Sequence, residues 1–174
     1  NPLELIEKYG ADALRFGLTS QHTGLQDLRF GEDTMLMSKK FANKIWNIAR
    51  FIITKLDSNY KWARLQSPQD VKNSWVAKIN GMAAYVTEQI EKYNFAEAAN
   101  QLYYFVWHEI ADKYIEEVKD KNDEETRNTL AYLLTTSLKL LHPFMPFVTE
   151  EIYTNILPDF PGKKLLIVEN WPAE

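Results

Sequence analysis

Apolar residues along the chain recur mostly at three- and four-residue spacing, the period of helices packed along one face. The longest run, from about Glu32 to Leu56, puts Phe41, Ile45, Ile48 and Ile52 on one stripe and lacks Pro and Gly, so it predicts a helix of roughly seven turns. A second long helix is expected from Asn73 or Ser74 to about Lys92, weakened slightly by Gly81. After Tyr93-Asn94 a third, FAEAANQLYYFVWHEIADKYIEEVKD, carries a bulky stripe through Tyr103, Trp107, Ile110, Tyr114 and Val118, which predicts burial between neighbours. Asn122 or Asp123 should cap a fourth helix, with Glu124 and Glu125 favourable in its positive first turn, running to His142 before Pro143 ends it.

The ends of the chain read less regularly. Asn1 as N-cap, Pro2 at the first helical position and Gly10 as a stop predict a two-turn helix. ADALRFGLTS continues as a short helix with Leu14 and Leu18 four apart, and QHTGLQDLRFG breaks the pattern as a loop. DSNYKWARLQSP is a polar connection, Val148 to Ile156 predict a fifth helix after PFMPF, and LLIV is expected as a short closing strand after the loop PDFPGKK. The expected fold is all-α, an antiparallel helical bundle with short connections. Residues 1–31 read as a connection, 32–157 as the bundle and 158–174 as an extension; the non-Met start, entering structure at once, is expected of a segment of a longer polypeptide.

Composition narrows the chemistry. Cysteine is absent, which removes disulfides and thiolate metal sites, and His22, His108 and His142 are scattered. A di-iron bundle needs Glu three residues before His, but those positions hold Thr19, Phe105 and Lys139. No phosphate-binding glycine loop, zinc-protease motif or nucleophile elbow occurs, and His142 reads as a helix-terminal cation or packed side chain. With no run of about 18 apolar residues and no secretory signal, an intracellular, cytoplasmic chain without membrane contact is expected.

The net charge of −4 means that nucleic acid could meet only a local basic patch. From Glu32 to Asp57 five Lys/Arg face three acids, whereas from Glu109 to Glu125 three Lys face eight, and Asp112 and Glu116 are expected to pair with lysines. Phe51 lies about 80° from the centre of the apolar stripe of its helix, in line with Lys40, Lys44, Asn47 and Lys55. Two readings stand: the ring packs on another helix while lysines snorkel around it, or it is a platform on which an unpaired base stacks while the cations grip phosphates.

Four blocks, NPLELIEKYGADALRF, FANKIWNIARF, NFAEAANQLYYFVWHEIADKYIEE and LLHPFMPFVTEEIY, stand in an order that closely resembles the valyl-tRNA synthetases, in the class I subgroup that also serves isoleucine and leucine. The last block is common to the subgroup; the second and third look valyl. The resemblance implies the helical domain that binds the anticodon stem-loop of tRNA(Val), following a catalytic domain that uses ATP and Mg2+ and carries HIGH and KMSKS signatures, neither of which is present here. It implies no cofactor for this segment itself. It implies Lys44 and Arg50 on phosphate or base edges, Phe51 stacked on an anticodon base and Ile115 walling the pocket, with Lys40 and Asn47 on the same face. Where some relatives place an early basic residue, this chain has Glu32-Asp33, so the resemblance does not carry that phosphate contact over. An isoleucyl or leucyl enzyme, or a helical protein-interaction bundle without RNA binding, are the alternatives.

Overall fold

The computed structural model describes residues 1–21, 31–56, 60, 74–158 and 162–172; all but the two ends of the expected 21–31 loop, all but Tyr60 of the 57–68 connection and residues 159–161 of the PDFPGKK loop lie outside the described residues. The order is α1 (Pro2–Tyr9), α2 (Ala11–Gln21), α3 (Glu32–Lys55), α4 (Ser74–Glu91), α5 (Phe95–Tyr104), a π-wound segment (Phe105–Ile115), α6 (Glu116–Val118), α7 (Glu124–Leu141), α8 (Pro146–Glu151), a second π-wound segment (Ile152–Ile156) and one 3-10 turn (Leu166–Val168). The described residues thus form an all-α bundle. α5, the first π-wound segment and α6 form the single long helix that the stripe predicts.

The caps follow local chemistry. Asn1 accepts the Leu3 N–H at 3.1 Å, and Gly10 ends α1 at φ +92°, a left-handed conformation that glycine adopts without cost. Of the two candidate caps for α7 it is Asp123 that serves, accepting the Thr126 N–H at 2.8 Å. α3 needs no side-chain cap bond because it is driven by burial: Met35, Phe41, Ile45, Ile48, Ala49 and Ile52 all enter the core. That core is shared by α2 to α8, with Phe16 of α2 inside it although α2 falls in the expected connection. Gly17 is where α2 crosses α3, since a Cβ there would stand 2.1 Å from the Met35 methyl.

The PFMPF turn is tied to α2. The buried Asp12 carboxylate accepts the backbone N–H of Phe147 at 3.1 Å and of Val148 at 2.6 Å, capping α8 from another helix, and the Arg15 guanidinium donates to the Pro143 carbonyl at 3.0 Å. The LLIV segment corrects the expected strand. Among the described residues there is no strand for it to pair with, and the Glu150 carboxylate accepts the N–H groups of Leu166 at 2.9 Å and Ile167 at 3.2 Å, curling it into a 3-10 turn.

His142 is the packed side chain anticipated at the end of α7. Thr149 donates its hydroxyl to the Met145 carbonyl at 2.8 Å and so accepts from His142 Nδ1–H at 2.9 Å, while Nε2 lies 3.9 Å from Glu150. Burial pushes the imidazole below its ordinary value, against the opposing pull of Glu150 and Asp12. The unfolded chain then takes up a proton before the folded one. The His142 contribution to stability is therefore complete above the unfolded pKa of about 6.5 and declines as pH falls below it. Melting temperatures from pH 7.5 to 5.0 should fall more steeply for the native chain than for His142→Asn, which keeps the donor without the titration. Parallel profiles would contradict this.

Candidate nucleic-acid interface

Five of the expected site residues lie along one helix. Lys40, Asn47 and Arg50 are exposed on α3, and Lys44 and Phe51 are half-buried. Among the described residues no hydrogen bond or ion pair engages the Lys40 amine or the Arg50 guanidinium, so both are open to an anion. Phe51 is less exposed than its projection implies: the ring packs against the core, and Lys55 Nζ stands 5.9 Å from its centroid. The reason is geometric, because α3 is flanked by both the long π-wound helix and α7 and so buries more than a single stripe. The ring is partly buried and partly open to solvent.

Lys55 departs from the expected basic stripe. Its amine donates to the Lys119 carbonyl, to the Lys121 carbonyl at 3.4 Å and to Asn122 Oδ1 at 3.0 Å, closing the turn between α6 and α7. A cation so held serves the orphan carbonyls of a helix end and not a phosphate. Ile115, expected as a pocket wall, is only 8% exposed and belongs to the core with Tyr114 and Val118. It does not join the other five on the α3 surface.

The WHE helix, the π-wound segment packed against α3, adds to this surface. Lys44 Nζ lies 3.0 Å from Asp112 Oδ1 and 5.3 Å from the centroid of the Trp107 ring, and His108 Nδ1 lies 3.1 Å from Asp112 Oδ2. The expected pairing of Asp112 with a lysine is thus present, as is that of Glu116, which meets Lys119 at 2.9 Å. Partial desolvation raises the Asp112 carboxyl, but hydrogen bonding and attraction from Lys44 and then His108 outweigh it and hold the group below its ordinary value, hence ionised. Burial, with Asp112 adding to it, pushes the nearby Tyr103 hydroxyl upward. Tyr104 is 52% exposed with its ring 5.1 Å from that of His108.

Behind this surface the Phe41 ring packs on Tyr103 at 4.8 Å and Trp107 at 6.3 Å, so the core of α3 directly supports the aromatics of the facing helix. Tyr104, Trp107, His108 and Asp112 were absent from the expected site. The i, i+4 spacing of His108 and Asp112 in WHEIAD was the available signal. Chemically the face offers open cations, aromatic rings and one ionised acceptor, the set used to hold unpaired nucleotides.

The chain resembles known proteins. The family model described as "Anticodon-binding domain of tRNA ligase" matches residues 73–174, from the start of α4 onward. Valine--tRNA ligase of Listeria innocua is 40% identical over 99% of this chain, that of Bacillus cereus (strain ATCC 10987) 40% over 99%, and that of Bacillus subtilis 37% over 99%, matches that include α3. The chain spans 20% of the length of each. The same fold occurs in a chain of the ternary complex of Agrobacterium radiobacter K84 agnB2 LeuRS, tRNA and LeuAMS, with a TM-score of 0.77 over 99% of this chain and 20% of that one, at 19% identity. The chain belongs to the family of anticodon-binding domains of tRNA ligases.

Proposed function

We propose that this chain is the anticodon-binding segment of a valine–tRNA ligase, gripping the anticodon stem-loop of tRNA(Val) while a catalytic domain of the same cytoplasmic enzyme performs ATP-dependent aminoacylation. The observation that carries the reading is the α3 face, on which the open cations Lys40 and Arg50 stand with Lys44 and the partly buried Phe51 ring beside the WHE helix. The names of the relatives support valine over isoleucine or leucine. ATP and Mg2+ belong to the catalytic domain. The residues here do not fit them: the sequence has no phosphate-cradling glycine loop, and among the described residues no group of three His, Asp or Glu is placed to hold a metal. No helix among the described residues is long and apolar enough to cross a membrane.

Phe51 stacks under an anticodon base, Lys40, Lys44 and Arg50 meet neighbouring phosphates, and Asn47 contributes an amide between them. Ile115 acts only from behind, through packing. Two to three phosphate contacts give a log–log salt slope of about −1.4 to −2.1 at roughly 0.7 per single-strand contact. Titration of a labelled valine anticodon stem-loop between 50 and 300 mM salt should return that slope. Lys40→Ala should flatten it by about 0.7, and Lys55→Met should leave it unchanged. A slope near zero would favour an apolar protein-binding seam, and tighter binding of an isoleucine or leucine stem-loop would move the chain to a sister enzyme.

A further inference from the structure

The Lys44–Asp112–His108 cluster holds a carboxylate where α3 meets the π-wound helix. Asp112 uses one partner on each oxygen, Lys44 at 3.0 Å and His108 at 3.1 Å, and its side chain is 44% exposed. An ionised carboxylate has about four acceptor sites, so acceptor capacity remains toward solvent. Its two partners fix its orientation, and the Lys44 ammonium supplies positive charge that offsets repulsion from a nearby phosphate. The exposed Tyr104 ring and the half-buried Trp107 ring lie 5.1 and 6.4 Å from the His108 ring. This polar cluster lies on a π-wound turn, a winding often found at functional sites.

We propose that Asp112 reads the third anticodon base, accepting a hydrogen bond from the exocyclic amino group of a cytosine. The inference rests on the anticodon reading of the α3 face. Lys44 and Phe51 are seven residues apart, about 10 Å along the helix axis, so Phe51 holds a different base. A carboxylate only accepts, and the amino group of cytosine is its natural donor. Uracil presents a carbonyl oxygen at the corresponding place, acceptor against acceptor. By the genetic code, valine and isoleucine anticodons share a middle adenine and differ in the third base, cytosine against uracil. Asp112 thereby separates the two loops, by favouring one and repelling the other.

The experiment titrates the native chain and Asp112→Asn with a valine anticodon stem-loop and with the same loop carrying uracil at the third or the middle anticodon position. The native chain should bind the cytosine loop about tenfold more tightly than the third-position uracil loop, the effect of one hydrogen bond to a charged group. Asn presents both a donor and an acceptor, so Asp112→Asn should bring that ratio to within about twofold, and thermal melts should report an intact fold because the side chain is exposed. A cytosine preference that survives Asp112→Asn overturns the assignment while leaving the anticodon reading in place. So does a loss of discrimination confined to the middle position. Failure of the native chain to bind any loop overturns both readings together.

Discussion

Phe41→Ala should cost about 3 to 5 kcal/mol of folding stability, the range for deleting a fully buried aromatic side chain. The ring is 0% exposed and packs on Phe16 at 5.2 Å, Tyr103 at 4.8 Å and Trp107 at 6.3 Å, so no neighbour can close the cavity without giving up contacts of its own. Against a total stability of about 5 to 15 kcal/mol the loss is severe, and at roughly 2 to 4 °C per kcal/mol the melting temperature should drop by about 6 to 20 °C. RNA binding should fall with it, because Trp107 and Tyr103 lose their support beneath Lys44. The adjacent Lys40→Ala should do the reverse, changing stability by less than about 0.5 kcal/mol while weakening RNA binding. Paired thermal melts and stem-loop titrations check both. A benign Phe41→Ala would contradict the packing that connects the core to the site.

Phe51 carries the largest expected effect on binding. Stacking beneath a base contributes about 1 to 3 kcal/mol, so Phe51→Ala should weaken stem-loop binding by about 5- to 150-fold. The ring is also half-buried against the core, so the same variant should lose about 1 kcal/mol of stability, a part of what full burial contributes. Phe51→Leu separates the two roles. It keeps most of the apolar area and should melt close to the native chain, yet it has no π-face and should bind almost as poorly as the alanine variant. Phe51→Trp should preserve binding, with at most a modest cost from its larger volume. A leucine variant that binds normally would reduce Phe51 to packing.

The parts of this structure that depend on local chemistry were legible in the sequence. Asn1, Pro2 and Gly10 bracket α1 as expected, and the period of Phe41, Ile45, Ile48 and Ile52 marks both the length of α3 and its buried face. What depends on distant partners was not. Asp12 caps a helix 135 residues away, which no local pattern encodes. LLIV has the composition of a strand but has Glu150 as its hydrogen-bond partner in place of a second strand. The π-wound segment buries Phe105, Val106, Ile110, Ala111, Tyr114 and Ile115 and leaves Tyr103 and Trp107 half-buried, a shift of the buried face that an α-period reading of the WHE stretch does not show. The candidate site divides the same way. Its cations and Phe51 are visible as a stripe on one helix, while the removal of Lys55 to the 119–122 turn and the meeting of Lys44 with Asp112 and His108 arise only when helices pack.

The most direct test of the account is a residue-resolved binding map. The isotope-labelled chain is titrated with a valine anticodon stem-loop at low salt while backbone and side-chain NMR shifts are followed. The account predicts saturable shifts concentrated at Lys40, Lys44, Asn47, Arg50 and Phe51 and, on the WHE helix, at Tyr104, Trp107, His108 and Asp112, with the Lys55 turn and the Asp12–His142 end of the bundle unmoved. Shifts centred on another surface, or none with a loop that the chain demonstrably binds, would contradict the placement of RNA on α3.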